Sequence, residues 1–187
     1  MKHFDCVYNL ARLRWARYQQ SGEKEDLDKS ILNYSAAIFL LPVSRASDIP
    51  RLLFELTTTL RERSEEYEQP EGIEYSINYL RYLRTFPIDS FDVPRWALTT
   101  SLIRALGTQV EWSTGNETRD IKEMVILCRE LLVSNVSARR IFPVAAYISL
   151  AGAANAAENR LPIELQDTVI ERLRDAVEAC PPGSENF

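Results

Sequence analysis

Arginine and tyrosine are the residues of this chain whose types and spacing point to chemistry, and the chemistry is recognition. Arg12, Arg14 and Arg17 recur along one segment. Arg81 and Arg84 recur along another, with Tyr75, Tyr79 and Tyr82 interleaved. A guanidinium can hold a carboxylate by two parallel hydrogen bonds, and a tyrosine offers an apolar face with a polar tip, so the two together suit an acidic or extended peptide. Asn33 and Asn78, expected on inner positions of helices, could bond a peptide backbone. The expected binding set is Arg14, Arg17, Asn33, Asn78, Tyr79, Arg81, Tyr82 and Arg84. The competing structural reading has the tyrosines filling gaps between helices while arginine stems cover apolar surface.

Catalytic groups are sparse. His3 is the one histidine and stands at the start of the sequence, where a Ser-His or Cys-His nucleophilic site would have to recruit it. Cys6, Cys128, Cys180 and His3 show no zinc-ligand spacing, and no glycine-rich phosphate loop or dinucleotide fingerprint occurs. Glu62, Glu65, Glu66, Glu68, Glu71 and Glu74 surround a turn that also holds Arg61 and Arg63. Carboxylates grouped in this way suit a solvated hairpin end. The alternative is a helical enzyme with a divalent metal around Glu65, Glu66 and Glu71. The expectation is therefore no enzyme, no cofactor and no metal.

Composition bounds the rest. The 187 residues suffice for a substantial core, and the apolar (45%) and charged (26%) fractions are those of folded globular chains. A net charge of −5 argues against a surface that binds nucleic acid through phosphates. No apolar run reaches the roughly 18–20 residues that span a bilayer. Three widely spaced cysteines without a CxxC pattern fit a reduced, intracellular and cytoplasmic setting. The start, MKHFDCVYNLARLRW, lacks the apolar region of a signal peptide.

The elements that would position these residues read as helices throughout. A first helix is expected from about Cys6 to Gln20, broken at Gly22. A second carries Leu27, Ile31, Tyr34 and Ile38 on one face and stops before Pro42. Ser47 or Asp48 can cap a third, with Pro50 in its first turn and Leu53, Leu56 and Leu60 along it. Its last stretch, Arg61 to Glu68, is expected to project beyond the packed face. Pro70 and Gly72 mark the turn to a fourth helix holding Ile73, Ile77, Leu80 and Leu83, which Pro87 ends. A fifth opens at Pro94 with Leu98, Leu102, Leu106 and Val110, and a sixth carries Ile121, Val125, Cys128 and Leu131. A seventh starts near Phe142-Pro143, and an eighth runs from Ile163 to Ala179. Trp15, Trp96 and Trp112 read as packing residues. No strand pattern or hairpin turn signal is present.

The second helix of each pair recurs. Leu27-Asp-Lys-Ser-Ile31 aligns with Ile73-Glu-Tyr-Ser-Ile77 at an offset of 46 residues, then with Ile121-Lys-Glu-Met-Val125 and Leu165-Gln-Asp-Thr-Val169. A period of this size is the mark of stacked helical hairpins, each with an apolar face that only a neighbour covers. The expectation is one all-α domain over 1–180 built as an α-α solenoid of eight helices. Its four hairpins span about 5–42, 48–87, 94–134 and 141–180, with a disordered tail at 181–187.

The first unit resembles a tetratricopeptide repeat. Counting back from Pro42 as the closing proline, Ala37 and Ser30 fall at the small positions of the second helix and Tyr34 at its aromatic. The period exceeds the usual ~34 residues, and the first-helix Trp-Leu-Gly-Tyr pattern is not reproduced. More narrowly, RYQQSGEKEDLDKSI looks like units of large fungal tetratricopeptide-like proteins, some of which carry a caspase-like CHAT domain. Arg17, Tyr18, Gly22, Asp26, Leu27, Asp28 and Ile31 carry that likeness. The resemblance implies a scaffold that binds a protein or peptide, a segment of a larger repeat protein, and an end-face open to end-to-end self-association. The net charge and the lack of a bilayer-length apolar run point to no nucleic-acid or membrane partner.

Overall fold

Six α-helices in sequence account for almost all of the residues that the structure describes. The computed structural model describes residues 2–87, 93–112 and 117–134, together with Asp167, Ile170, Glu171 and Arg174. The helices are α1 (Lys2–Ser21), α2 (Lys24–Phe39), α3 (Ile49–Tyr67), α4 (Pro70–Leu83), α5 (Arg95–Glu111) and α6 (Glu117–Ser134), and a 3-10 turn (Val43–Asp48) joins α2 to α3. The protein is all-helical, with no strand among the described residues. Among those residues, too, no helix is long and apolar enough to cross a membrane. The expected seventh helix, most of the expected eighth, all of the repeat copy at 165–169 except Asp167, and the tail lie outside the described residues. The chain divides into two compact units, Met1–Leu98 and Thr99–Phe187.

In the first unit α1 packs on α2, α3 on α4, and α2 on α3. Both hairpins turn in the same way. Gly22 takes a left-handed conformation (φ +70°) and its N–H donates to the Tyr18 carbonyl at 2.8 Å. Glu68, 46 residues on, takes the same conformation (φ +50°) and its N–H donates to Ser64. A left-handed residue just past a helix satisfies carbonyls that the helix leaves open, and glycine does this without a Cβ clash. Both hairpins also share an internal bond. Ser30 Oγ donates to the Ala11 carbonyl at 2.9 Å and Ser76 Oγ to the Thr57 carbonyl at 3.2 Å, each spanning 19 residues. A side chain this small lets two helices approach until a hydroxyl on one reaches the backbone of the other.

The same register sets the core. Leu27, Ile73 and Ile121 are buried, as are Ser30, Ser76 and Met124, then Tyr34, Leu80 and Cys128, then Ala37, Leu83 and Leu131. The 46-residue offset therefore continues into α6 with a shift to 48, and even Asp26 finds a buried counterpart in Asp120. Phe4, Ala11, Tyr34, Ala37, Leu52 and Leu56 form the core between the hairpins of the first unit. Burying each large apolar side chain contributes on the order of 1.5–3 kcal/mol, which stacking supplies and a lone hairpin does not. In the second unit α5 buries Leu102, Ile103, Ala105, Leu106 and Val110. Burial also pushes the Cys128 thiol up to about 12, so it packs as an apolar group.

Three local expectations change. The C-terminal part of α3 does not project: Arg61 and Ser64 are buried, because α4 returns along that end of the helix. Asp48 stands at the N-cap of α3, but its carboxylate goes to Arg45 and makes no capping bond. Trp15 is half-buried, stacked on Tyr18 with ring centroids 5.6 Å apart, and it faces a groove instead of filling the core.

Candidate functional site

A groove of about 830 Å³ runs along the first unit between α1 and α3, with α2 beneath it. Asn9, Arg12, Leu13, Trp15 and Ala16 of α1 form one wall, and Phe54, Glu55 and Thr58 of α3 form the other. Tyr34 of α2 closes the floor. The walls match in register, since Asn9 and Glu55 are 46 residues apart, as are Arg12 and Thr58. The groove therefore lies between like faces of two successive first helices. α1 places Asn9, Arg12 and Ala16 on one face by their spacing of three and four residues.

Its polar groups are organised around Tyr8 and Glu55. The Tyr8 hydroxyl donates to Glu55 Oε1 at 3.0 Å, and Arg51 Nε donates to the same oxygen at 3.3 Å. The guanidinium groups of Arg12 and Arg51 both approach the Tyr8 ring, at 5.8 and 6.0 Å from its centroid. Burial, and then the Glu55 carboxylate, raise the Tyr8 and Tyr34 phenols above their ordinary value, so both remain hydrogen-bond donors at neutral pH. The groove thus offers aromatic faces, an exposed arginine at its rim and a carboxylate on the facing wall. Such a surface can hold an extended chain by stacking and by pairing with charges of either sign.

The residues expected to bind from sequence are placed elsewhere. Arg14 and Arg17 come together, but on Asp26: Arg14 Nη1 donates to Oδ1 at 2.9 Å and Arg17 holds both carboxylate oxygens. The hydrogen bonds from Arg17, ahead of those from Arg14, hold the Asp26 carboxyl below the usual carboxylate range, and Asp26 in turn raises the Arg17 guanidinium. These two arginines fasten α1 to α2. Asn33 is half-buried on α2 and Asn78 exposed on α4; their numbers differ by 45, so they are not register mates. Tyr79 is packed against the core between the hairpins. Tyr82 is exposed and meets Phe86 edge-on at 5.1 Å, Arg81 is half-buried, and the Arg84 carbonyl accepts a bond from Arg95 at 3.0 Å. None of these α4 residues lines the groove.

The acidic turn is divided among partners. Arg61 Nη1 binds both carboxylate oxygens of Glu65, at 2.8 and 2.6 Å, while Glu66 and Glu71 are exposed. Among the described residues no three His, Cys, Asp or Glu side chains gather in a way that could hold a metal ion. That includes Glu65, Glu66 and Glu71. Sequence reasoning singled out Arg12 but passed over Phe54, Glu55 and Thr58. Their signal was available, since carrying Tyr8, Asn9 and Arg12 forward by 46 residues gives those three. No protein-family model matches the chain, and no curated protein matches it either.

Proposed function

We propose that the chain is a non-catalytic helical-repeat module, an α-solenoid of tetratricopeptide-like hairpins, that binds a peptide or protein segment along the groove between α1 and α3. The observation that carries this reading is the matched pair of walls. Two successive first helices present equivalent faces to one open groove with an aromatic floor at Tyr34, an aromatic wall at Trp15 and Phe54, and charges at Arg12 and Glu55. Groups already tied to one another across the groove cost little to pre-organise, which is what a binding surface needs. The arginines that looked available for an acidic ligand, Arg14 and Arg17, serve the hairpin instead, so Arg12 is the cation that meets the bound segment. An intracellular setting, as part of a longer repeat protein, goes with this reading.

Panning a random peptide library on the full chain tests it. Peptides selected on the wild type should lose at least about tenfold in affinity on Arg12→Glu and on Ala16→Arg, a change of roughly 1.4 kcal/mol. They should bind Arg81→Glu unchanged. Peptides indifferent to both groove variants but lost on Arg81→Glu would move the site to α4 and end the groove reading.

A further inference from the structure

The same helical stripe is covered in α3 and bare in α1. On α3, Leu52, Leu56, Thr59 and Arg63 follow one another at helical spacing. Leu52, Leu56 and Thr59 are 1%, 5% and 1% exposed. Leu52 and Leu56 belong to the core shared with Tyr34 and Ala37 of α2, and Arg63 Nε donates to Asp28 Oδ1 of α2 at 2.6 Å. Carried back by 46 residues, the stripe becomes Cys6, Leu10, Leu13 and Arg17 on α1. Cys6 is an exposed free thiol, Leu10 and Leu13 are 42% and 68% exposed, and the Arg17 side chain is 64% exposed. Two of the four are leucines turned to solvent, with Leu10 outside the groove and Leu13 at its edge.

We propose that this stripe is the docking face for the second helix of a further helical hairpin set ahead of α1. The occupant is specified by what covers the equivalent face within the same chain. It is a helix with the α2 pattern, carrying aliphatic or aromatic residues where Ile31, Tyr34 and Ile38 stand and a carboxylate where Asp28 stands. That carboxylate would meet Arg17 at Nη1, since Nε and Nη2 are the atoms that hold Asp26, in the place where Asp28 meets Arg63. Apolar burial would supply most of the contact and the single ion pair its register. The inference rests on the repeat reading above and does not need a ligand in the groove, with which the stripe shares only Leu13.

A tandem protein tests it. Residues 1–46 are duplicated directly before Met1 of the full chain, which reproduces the 46-residue register at the new junction. Cys6 of the added copy and Cys180 are changed to Ser, so that the resident Cys6 is the exposed thiol among the described cysteines; the reference is the full chain with Cys180→Ser. Labelling of the resident Cys6 by a water-soluble maleimide should slow at least about tenfold relative to the reference, because docking removes it from solvent except during local opening. Helical circular dichroism should rise in proportion to the added hairpin. Leu10→Asp with Leu13→Asp in the resident α1 should restore the labelling rate, and Arg12→Glu should leave the protection intact. An unchanged rate, or an added segment with no gain in helical signal, overturns the proposal. Protection of Cys6 in the chain without the duplication that grows with protein concentration would assign the face to a second copy, and would also overturn it.

Discussion

Two hairpins built on one register are fastened in opposite ways. In the first, Asp26 at the start of α2 is clasped by Arg14 and Arg17 of α1, and the turn residue is glycine. In the second, the position 46 residues after Asp26 is Gly72. A Cβ placed there would stand 2.1 Å from Ser64 Oγ and 3.1 Å from the Leu60 carbonyl. The charged partner is gone, and close backbone contact takes its place; Leu60 stands where Arg14 stood. The turn residue has become Glu68, which holds the left-handed conformation that Gly22 takes without strain. The shared features are the buried apolar positions and the serine that reaches across to the first helix. A hairpin of this type therefore needs those fixed, while its open end can be closed by a charge clasp or by contact.

The largest effect should come from filling the contact in the second hairpin. Gly72→Ala is expected to destabilise by about 1–3 kcal/mol, the range for overpacking a tight site. Ser64→Ala in the same chain should recover most of the loss, because Ser64 Oγ is the nearest obstacle. Chemical denaturation of the single and double variants measures the coupling, and additive losses would break the comparison. Next in size are the turns, which should respond with opposite sign. Gly22→Ala is expected to cost about 1 kcal/mol with no steric contribution, since nothing lies within 4 Å of a Cβ there, while Glu68→Gly should gain about the same. Equal signs in thermal melts would show that the turns are not equivalent.

The smallest effect at neutral pH, and the one that singles out the first hairpin, concerns the clasp. The Asp26 carboxyl lies below its ordinary value in the fold, so its contribution is fully present above the unfolded pKa of about 3.9 and is lost as pH falls through the lower folded value. Asp26→Asn should melt below the wild type at pH 7, with the gap closing as pH falls below about 4. A gap that persists unchanged at pH 2 would show that the clasp acts through shape and not charge.

The second helices were legible in the sequence because their buried residues recur at helical spacing and carry like chemistry. Leu27, Ser30 and Tyr34 could be read as the face of a helix before any contact was known. The groove was legible only through the 46-residue offset and not through residue chemistry. Asn9 with Glu55, and Arg12 with Thr58, occupy equivalent places but share no chemistry, so no repeat shows in them. Arg14 and Arg17 read as ligand-facing because a guanidinium near a tyrosine resembles a ligand site, and the structure shows that both also hold Asp26. Their partner, Asp26, read as a first-turn charge favourable to a helix dipole. That reading overlooks how a short turn at Gly22 brings the end of α1 against the start of α2. Arg61 departs in the opposite direction: a run of charges looks solvated, yet the residue is buried with its Nη1 donating to both oxygens of Glu65.

The linker between the hairpins carries one more consequence. Arg45 lies over the Phe4 ring with its guanidinium 4.6 Å from the centroid, and it binds Asp5 and Asp48. The opening turn of a helix ordinarily frays, since its first N–H groups have no partner within the helix. Here that turn is pinned by a residue forty positions further along. Loosening of the chain start is thereby joined to loosening of the bridge into α3, so amide hydrogens in both places should exchange together as one cooperative opening.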